Sequence, residues 1–307
     1  MKKAAFYTLG CKVNQYETEA MAELFADSGY EIKEFTEVAD VYVINTCSVT
    51  NMGDRKSRQI IRRAKKLNPN AVIAVTGCYA QTAPDEVLAI EGVNLVLGTK
   101  DRKNIVTLVE EINTESNINH VSDIMSNHEF EELQIKQYSN RTRAFIKIQE
   151  GCNQFCSYCI IPYARGPVRS RAKDDVVREI KELAHNGFKE IILVGIHVAS
   201  YGVDLGDTTL ESLIMDVDKI DGVERIRLSS IEPMTLNQEF IDSIKDSKKL
   251  CHHFHISLQS GCDETLKRMN RKYTTAQFKG IVDGLREAFD DVAITTDIMV
   301  GFPDESD

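Results

Sequence analysis

The chain has 307 residues, of which 42% are hydrophobic and 27% charged, which is ordinary for a globular protein and long enough for two domains. Its formal net charge of −10 argues against a uniformly basic nucleic-acid-binding protein, because phosphate contacts need clustered Lys and Arg. No apolar run approaches the ~20 residues that a membrane-spanning helix needs. Its eight cysteines, without a secretory signal, indicate metal ligation in a reducing compartment, so we expect a cytoplasmic protein.

Residues 1–113 alternate short apolar strands with helices. The predicted strands are 4–9, 31–35 (the weaker one), 41–45, 71–76 and 93–97. The predicted helices are 14–28, 54–67, one that begins at Pro84, and 103–112. This alternation predicts an α/β domain with an open parallel sheet covered by helices.

Three cysteines of this domain each follow a predicted strand. Cys11, Cys47 and Cys78 come just after the strands 4–9, 41–45 and 71–76. Open α/β sheets bind their ligands at the carboxyl ends of strands. A lone free cysteine is more often a small buried core residue, but three at the same sheet edge favour a shared site. We therefore predict a three-thiolate cluster site that faces a second such site further along the chain.

Residues 114–143 are polar and acidic, and we interpret them as a solvated linker, with a short strand near 120–124. The strand–helix alternation then restarts. The predicted strands are 144–149, 190–195, 225–230, 253–258 and 292–300, and the predicted helices are 174–186, 210–220, 238–245 and 274–289. This pattern predicts a partial (β/α) barrel over 144–307, with its site at the strand carboxyl ends. Because a parallel barrel that stops there has an open edge, we expect a C-terminally truncated form of a longer protein.

A loop after the first barrel strand carries three further cysteines. Cys152, Cys156 and Cys159 form a C-x3-C-x2-C array. Structural zinc sites usually combine two separated ligand pairs, and a second C-x2-C pair is missing from the sequence, so zinc needs a distant fourth ligand. Three thiolates can instead hold three irons of a [4Fe–4S] cluster and leave the fourth iron open for a substrate. We favour the iron–sulfur interpretation.

Both sets of cysteines lie in motifs that resemble one family. TLGCKVNQYETE, INTCSVTN, GCYAQ and CNQFCSYCIIPYARGPVRSR are similar to the tRNA methylthiotransferases of the radical S-adenosylmethionine (SAM) superfamily, and the resemblance covers the whole chain. It implies an α/β N-terminal domain, a radical SAM partial barrel and a small C-terminal RNA-binding β domain, and we expect the last of these to be missing from the truncated form. GIHVASYGVDL and LQSGCDETLKRMNRKYT resemble the branch that acts on N6-threonylcarbamoyladenosine at tRNA position 37. The isopentenyladenosine and ribosomal-protein branches remain alternatives.

The resemblance also implies cofactors and a reaction. One [4Fe–4S] cluster on Cys152, Cys156 and Cys159 would donate an electron to SAM, and the resulting 5′-deoxyadenosyl radical would take the hydrogen from adenine C2. A second [4Fe–4S] cluster on the N-terminal trio would present sulfur, which a second SAM methylates. An electron donor is required. A non-catalytic iron–sulfur electron carrier is the alternative from another class, but it leaves the barrel unexplained.

Four residues are predicted to contact SAM. The resemblance implies that Tyr158, which precedes the third cysteine of the loop, lies along the adenine. The strand-end residues Glu232 and Ser229 would hold the ribose or amino group of SAM, and Gln259 would line the same pocket. Each strand-end residue could equally be hydrogen-bonded within the barrel. The family pattern GFPGE reads GFPDE here, so Asp304 stands where a glycine would allow a positive φ.

Basic residues form two candidate contacts to the tRNA anticodon loop. Seven Lys and Arg between residues 55 and 66, with Arg62 and Arg63 at the centre, lie on one helix without an intervening acidic residue. A solvated helix face is the usual explanation, but a one-signed cluster raises the chance of phosphate contact. Arg165, Arg169 and Arg171 follow the cysteine loop and could grip the RNA backbone.

Overall fold

Parallel sheets with helices between their strands form the fold, which confirms the predicted α/β class. The computed structural model describes residues 1–112, 117–135 and 142–305. The chain divides into two units, Met1–Lys136 with Ile160–Pro167 and Gln137–Cys159 with Val168–Asp307. Within the described residues, none of the helices combines the length and the apolar character that crossing a membrane requires.

The first unit is built on one six-stranded parallel sheet. Its strands are β1 (Lys3–Thr8), β2 (Glu31–Lys33), β3 (Val41–Thr46), β4 (Val72–Gly77), β5 (Leu95–Leu97) and β6 (Ile118–His120). They lie in the order β2-β1-β3-β4-β5-β6. Tyr42 and Ile44 belong to one core cluster and Val41 and Val43 to another, because successive side chains of a strand point to opposite faces of the sheet. The central strand β3 is therefore buried on both sides.

Among the described residues of this unit, six α-helices accompany the sheet. They are α1 (Lys12–Asp27), α2 (Asn51–Leu67), α3 (Cys78–Thr82), α4 (Pro84–Leu88), α5 (Ile105–Glu111) and α6 (Ile161–Arg165). Helix α2 begins after Thr50, whose side chain accepts a hydrogen bond from the backbone N–H of Gly53. It ends before Asn68, because the following Pro69 disfavours the helical conformation for the residue that precedes it. Helices α3 and α6 were not predicted, since five residues are too few to show a helical period. Helix α4 is equally short and was predicted only from the proline at its first position.

Part of the predicted linker packs in the first unit instead of being solvated. Ile124, Leu133 and Ile135 are buried, and Tyr16 of α1 donates a hydrogen bond to the carbonyl oxygen of Leu133. The few apolar side chains of this polar stretch thus find a core surface. The linker positions 114–116 and 136–141 lie outside the described residues, and the predicted domain boundaries stay predictions.

The second unit contains the predicted partial barrel. Its strands are β7 (Arg143–Glu150), β8 (Arg169–Ser170), β9 (Glu190–Gly195), β10 (Arg225–Leu228), β11 (His253–His255) and β12 (Ala293–Thr295). Its helices are α7 (Lys173–His185), α8 (Leu210–Asp218), α9 (Gln238–Ile244), α10 (Asp263–Arg268) and α11 (Thr275–Ala288). Strands β7, β9 and β10 are parallel neighbours, as are β11 and β12, and single bridges such as Ile231 to Ile256 join the two groups. This confirms the five-strand barrel segment.

One strand of the second unit is additional. The two-residue β8 pairs antiparallel with the end of β7, through Gln149 with Ser170 and Glu150 with Arg169. It covers the outer edge of β7 just before the cysteine loop begins. A free edge is open to unwanted pairing, and a short antiparallel cover removes that opportunity at this position.

Candidate metal centres

The three N-terminal cysteines lie at the carboxyl ends of three adjacent strands. Strand β3 pairs with β1 on one side and with β4 on the other, and the registers run to the ends of the strands. Cys11 is the N-cap of α1, Cys47 follows β3, and Cys78 is the first residue of α3. The parallel topology thus gathers three thiols that are far apart in sequence. They remain our predicted ligands for the N-terminal cluster.

Two glycines allow the chain to turn beside these thiols. Gly10 has φ +101°, and a Cβ there would lie 2.9 Å from Cβ and 3.0 Å from Sγ of Cys47. Gly77 has φ 96° and ψ −167°, a conformation essentially restricted to glycine, and a Cβ would lie 2.4 Å from the Thr46 carbonyl oxygen. Both glycines therefore allow the tight turns that precede Cys11 and Cys78.

Asn14 connects the ends of two strands at this site. Its Nδ2 donates to the carbonyl oxygens of Leu9, at 2.7 Å, and Thr46, at 2.9 Å. Its Oδ1 lies 3.8 Å from the Cys11 thiol, which donates to it. A buried amide with several satisfied partners fixes the backbone around it. Asn14 was not singled out from the sequence, although it stands in the quoted GCKVNQYE motif.

A buried arginine reaches the third thiol. Arg165 of α6 is fully buried, and its Nε lies 3.3 Å from Sγ of Cys78, which accepts the hydrogen bond. Its Nη1 donates to Glu17 at 2.6 Å, and Nη2 donates to the other oxygen of the same carboxylate at 3.1 Å. The predicted RNA contact of Arg165 is not supported by this position, because phosphate binding needs an accessible side chain.

Burial makes two of these thiols, those of Cys47 and Cys78, reluctant to ionise without a metal. Burial raises the pKa of Cys78 to about 11, and the nearby Arg165 opposes that rise. Burial also raises the pKa of Cys47, which the backbone N–H of Val49 and Arg165 oppose. A buried thiol is stable as a thiolate only with a positive partner or a metal ion. The site is therefore suited to thiolates that are stabilised by ligation.

In the second unit, the cysteine loop is anchored to the turn that follows α10. Ser157 donates its backbone N–H to the carbonyl oxygen of Met269 at 3.1 Å and its hydroxyl to that of Arg268 at 2.8 Å. Asn270 donates to the Phe155 carbonyl oxygen at 2.9 Å. These bonds fix the loop, including Phe155 with its φ of 48°. Burial raises the pKa of Cys152 to about 11, and the neighbouring thiols of Cys159 and Cys156 act in the same direction.

A second arginine contacts this loop. Nη1 of Arg271 lies 3.4 Å from Sγ of Cys156, and Nη2 lies 2.5 Å from Oε2 of Glu232. The structure thus brings the predicted SAM-binding residue Glu232 next to the cysteine loop through Arg271. Burial raises the pKa of Glu232, and Arg271 opposes that effect. Arg271 was not singled out, although it belongs to the quoted RMNRKYT motif.

The other predicted SAM-binding residues lie on the same barrel segment. The hydroxyl of Ser229 is buried without a hydrogen-bond partner among the described residues, which makes it available to a ligand. Tyr158 is 39% exposed, and its ring centroid lies 6.3 Å from that of Phe302 in an edge-to-face arrangement. Gln259 has φ +68°, and its backbone bonds to the Asp297 and Met299 backbone. These assignments stay predictions.

Asp304 adopts the conformation expected at the glycine position of GFPGE. Its φ is 62°, in the left-handed region, and Gly301 in the same turn has φ 73°. Asp is one of the residues that tolerate this region better than most. The turn of the family pattern is thus retained with Asp304 in place.

The predicted RNA-contacting residues differ sharply in exposure. Arg169 and Arg171 are buried like Arg165, and Arg171 pairs with Glu179 on α7, so their positions do not favour RNA contact. Arg62 and Arg63 on α2 are exposed, and the opposite face of the helix, with Ile61, is buried. The basic face of α2 is accessible, and it keeps its predicted role.

The donor sets fit iron–sulfur clusters. Each unit presents three soft thiol ligands, and the bonds around each trio fix the backbone that carries it. Within the described part of the chain, no three His, Cys, Asp or Glu side chains converge closely enough to hold one metal ion. A [4Fe–4S] cluster does not require such convergence, because each thiolate binds a different iron.

Two family models match the chain. One, described as Uncharacterized protein family UPF0004, matches residues 3–98, and the other, described as the Radical SAM superfamily, matches residues 146–307. The second covers more than half of the chain and begins just before the cysteine loop. The barrel segment and its C-x3-C-x2-C loop therefore define a radical SAM protein.

Relatives with known names narrow this class. The chain is 50% identical to threonylcarbamoyladenosine tRNA methylthiotransferase MtaB of Bacillus subtilis, over 100% of this chain and 68% of that protein. It is 42% identical to the protein of the same name from Aquifex aeolicus, over 99% and 74%. It is 39% identical to tRNA-2-methylthio-N(6)-dimethylallyladenosine synthase of Thermoanaerobacter pseudethanolicus, over 98% and 65%. The chain belongs to the radical SAM tRNA methylthiotransferases, as the motifs indicated.

Solved structures agree at the level of the fold. The radical SAM methyltransferase TsrM from Kitasatospora setae superposes with a TM-score of 0.69 at 15% identity, over 100% of this chain and 69% of that protein. The cobalamin-dependent radical SAM enzyme OxsB gives a TM-score of 0.63 at 11% identity, over 97% and 49%. At such low identity these similarities show the fold alone.

Proposed function

We propose that this chain catalyses the methylthiolation of C2 of N6-threonylcarbamoyladenosine at position 37 of tRNA. The observation that carries the proposal is the pair of cysteine trios, each on backbone that hydrogen bonds hold in place. Two relatives named for threonylcarbamoyladenosine, from Bacillus subtilis and Aquifex aeolicus, are 50% and 42% identical to the chain, whereas the Thermoanaerobacter pseudethanolicus relative named for dimethylallyladenosine is 39% identical. A third relative named for threonylcarbamoyladenosine is also 39% identical, so the support for this substrate over the isopentenyl type comes from the first two.

The two trios have different roles in this proposal. Cys152, Cys156 and Cys159 hold the cluster that faces SAM, and Cys11, Cys47 and Cys78 hold the cluster associated with sulfur. When bound, the clusters supply the electron for reductive cleavage of SAM and the site from which sulfur is delivered. The contribution of the chain is to fix three thiolates in each unit and to leave one iron of each cluster without a protein ligand.

Residues of the barrel hold SAM in this proposal. Tyr158 lies along the adenine of SAM. Glu232 and Ser229 bind the polar groups of SAM, and Gln259 lines the pocket. Two features support the assignment: the ion pair with Arg271 that holds Glu232 near Cys156, and the buried hydroxyl of Ser229. A group that is fixed before the ligand arrives loses little entropy on binding.

The basic face of α2 binds the RNA backbone. Arg55, Lys56, Arg62, Arg63 and Lys66 are exposed. No ion pair between these residues and an acidic side chain is found in the part of the chain that the structure describes. When Lys and Arg on one helix face neutralise phosphates, the counterions condensed on the RNA are released, which favours binding.

The electrons for this reaction come from a cytoplasmic reductant of low potential.

Nucleoside analysis tests the substrate. We expect cells that lack the gene to lose the 2-methylthio derivative of N6-threonylcarbamoyladenosine and to accumulate its precursor, as measured by mass spectrometry of tRNA digests. The wild-type gene and a Cys262→Ala variant should restore the modification, because this exposed cysteine lies outside both trios. Loss of a methylthiolated isopentenyladenosine instead would show that the alternative substrate is correct.

A further inference from the structure

A short helix that follows the cysteine loop in sequence completes the first unit. Helix α6 begins two residues after Cys159, yet Ile160–Pro167 belongs to the unit of the N-terminal trio. Thr99 donates its hydroxyl to the carbonyl oxygen of Ala164 at 2.7 Å. Gly166 ends the helix at φ 70° and ψ −164°, a conformation essentially restricted to glycine. These two features fix the backbone of the last helical residue, Arg165.

The guanidinium of Arg165 is held in one plane. It presents five N–H donors in a rigid fork, and the two oxygens of Glu17 accept from Nη1 and Nη2. Nη2 also donates to Oδ1 of Asn14. With the fork fixed in this way, the remaining Nε–H is directed at Sγ of Cys78, 3.3 Å away. Sulfur therefore receives a charge-assisted hydrogen bond whose direction is set by residues of α1.

An ion pair for stability alone does not explain this contact. Glu17 is already paired with a second buried arginine, Arg102, at 2.5 Å, and Arg102 is also paired with Glu131 at 2.8 Å. The carboxylate of Glu17 therefore has a cationic partner without Arg165. Breaking or adding buried ion pairs is costly, and such pairs are weak evidence for a stabilising role. What distinguishes the two arginines is that only Arg165 has an N–H in contact with a cysteine of the trio among the described residues.

We propose that Arg165 is a positioning residue of the N-terminal cluster, which holds Sγ of Cys78 and raises the reduction potential of that cluster. The inference rests on the proposed assignment of Cys11, Cys47 and Cys78 as its ligands. Hydrogen bonds to ligand sulfur and nearby positive charge stabilise the more negatively charged, reduced form of an iron–sulfur cluster. The role of residues 164–166 in this family motif is then to support sulfur chemistry in the first unit.

Redox titration in a background with one cluster tests this role. The full chain carrying Cys152→Ala, Cys156→Ala and Cys159→Ala should bind about four irons, all on the N-terminal trio. In this background we expect Arg165→Gln to lower the reduction equilibrium constant roughly tenfold, which is about 59 mV for a one-electron couple. Arg102→Gln removes the same charge from the same carboxylate without touching a thiol, so its shift should be less than half as large.

A spectroscopic measurement removes the dependence on a substitution that could impair folding. With ¹⁵N-arginine in the same background, pulsed electron paramagnetic resonance of the reduced cluster should detect one coupled nitrogen. Arg165→Lys should abolish this coupling, and Arg102→Gln should retain it. Equal shifts for the two glutamine variants, or no coupled nitrogen, would overturn the role of Arg165. A chain that binds no iron in this background would instead overturn the cluster assignment itself.

Discussion

Arg271 and Glu232 form a buried ion pair beside the cysteine loop of the barrel. Nη2 and Oε2 are 2.5 Å apart, and the two side chains are only 8% and 9% exposed. The same guanidinium donates to Cys156 and to the carbonyl oxygen of Ser257. A single residue thereby connects the loop, the turn after α10 and a strand-end carboxylate.

Removing one partner of this pair should destabilise the second unit. In Arg271→Met the carboxylate of Glu232 stays buried without its cation, which typically costs about 3–5 kcal/mol. The double variant Arg271→Met/Glu232→Leu should recover most of that loss, since it buries no charge. Urea unfolding of the metal-free chain measures both free energies. Additive losses in the double variant would contradict the pairing.

Each cysteine of the loop should be essential for SAM cleavage. Cys156→Ala removes one ligand of the cluster, so the iron content should fall from about eight to about four per chain. We expect no 5′-deoxyadenosine from this variant, as measured by chromatography after anaerobic incubation with SAM and reductant. Cys262→Ala changes an exposed cysteine on the same unit and should retain both iron and cleavage. Formation of 5′-deoxyadenosine by Cys156→Ala would disprove the assignment.

Charge reversal on α2 should weaken tRNA binding. Each phosphate contact contributes about 0.7–0.9 to the slope of log affinity against log salt. Arg62→Glu/Arg63→Glu should therefore flatten the slope by roughly 1.4–1.8 and reduce the affinity, as measured by filter binding. Lys245→Glu/Lys279→Glu places the same charge change on the second unit and should have little effect. If both double variants bind alike, α2 is not part of the RNA surface.

The free energy of unfolding of the second unit should decrease as the pH falls below neutral, because of His197. Burial lowers its pKa to about 4 from an unfolded value of 6.5, and the nearby Arg271 acts in the same direction. The unfolded chain then binds the proton more readily, so the contribution is present above pH 6.5 and is lost as the pH falls to 4. At about 1.4 kcal/mol per unit the loss is about 3 kcal/mol. Urea unfolding of wild type and His197→Asn between pH 7 and 4 measures this loss. The wild type should lose about 3 kcal/mol more than His197→Asn over this range, and equal pH dependence of the two proteins would contradict the prediction.

Two glycine substitutions separate backbone strain from collision. Gly77 and Gly187 both have positive φ, at +96° and +92°. A Cβ at Gly187 meets nothing within 4 Å, so Gly187→Ala should cost only the strain of about 1 kcal/mol. A Cβ at Gly77 would lie 2.4 Å from the Thr46 carbonyl oxygen, so Gly77→Ala should cost several times more and lose N-terminal iron. Thermal melting and iron analysis check both, and similar costs would refute the close approach.

The sequence predicts those elements best whose apolar pattern is long and uninterrupted. The strand 190–195 matches β9, because its buried residues form a continuous run. The predicted strands 253–258 and 292–300 shorten to His253–His255 and Ala293–Thr295, since the chain turns at Gln259 with its φ of +68° and keeps only an isolated bridge to Ile298. A local break of this kind leaves no mark on hydrophobic periodicity.

In the candidate site, too, some features could be predicted from the sequence and others could not. The N-terminal cysteines could be placed at strand ends because each follows a predicted apolar strand, and parallel topology brings those ends to one edge of the sheet. The partners of Arg165 could not be predicted, because Glu17 is 148 residues away and the pairing depends on how a five-residue helix packs. In the sequence, Arg165 is one of three arginines after the cysteine loop that resemble RNA contacts, and its burial in the structure argues against that role.

Ile160–Pro167 packs in the first unit although it follows the cysteine loop in sequence, and this affects the order in which the protein folds during synthesis. Glu17 emerges from the ribosome 148 residues before Arg165 does, a delay of roughly 7–30 s at elongation rates of about 5–20 residues per second. Until then this fold lacks α6 and one of the two cations that surround its buried carboxylate. Translation therefore imposes an order: the N-terminal half reaches its final packing only after the loop with Cys152, Cys156 and Cys159 has been synthesised.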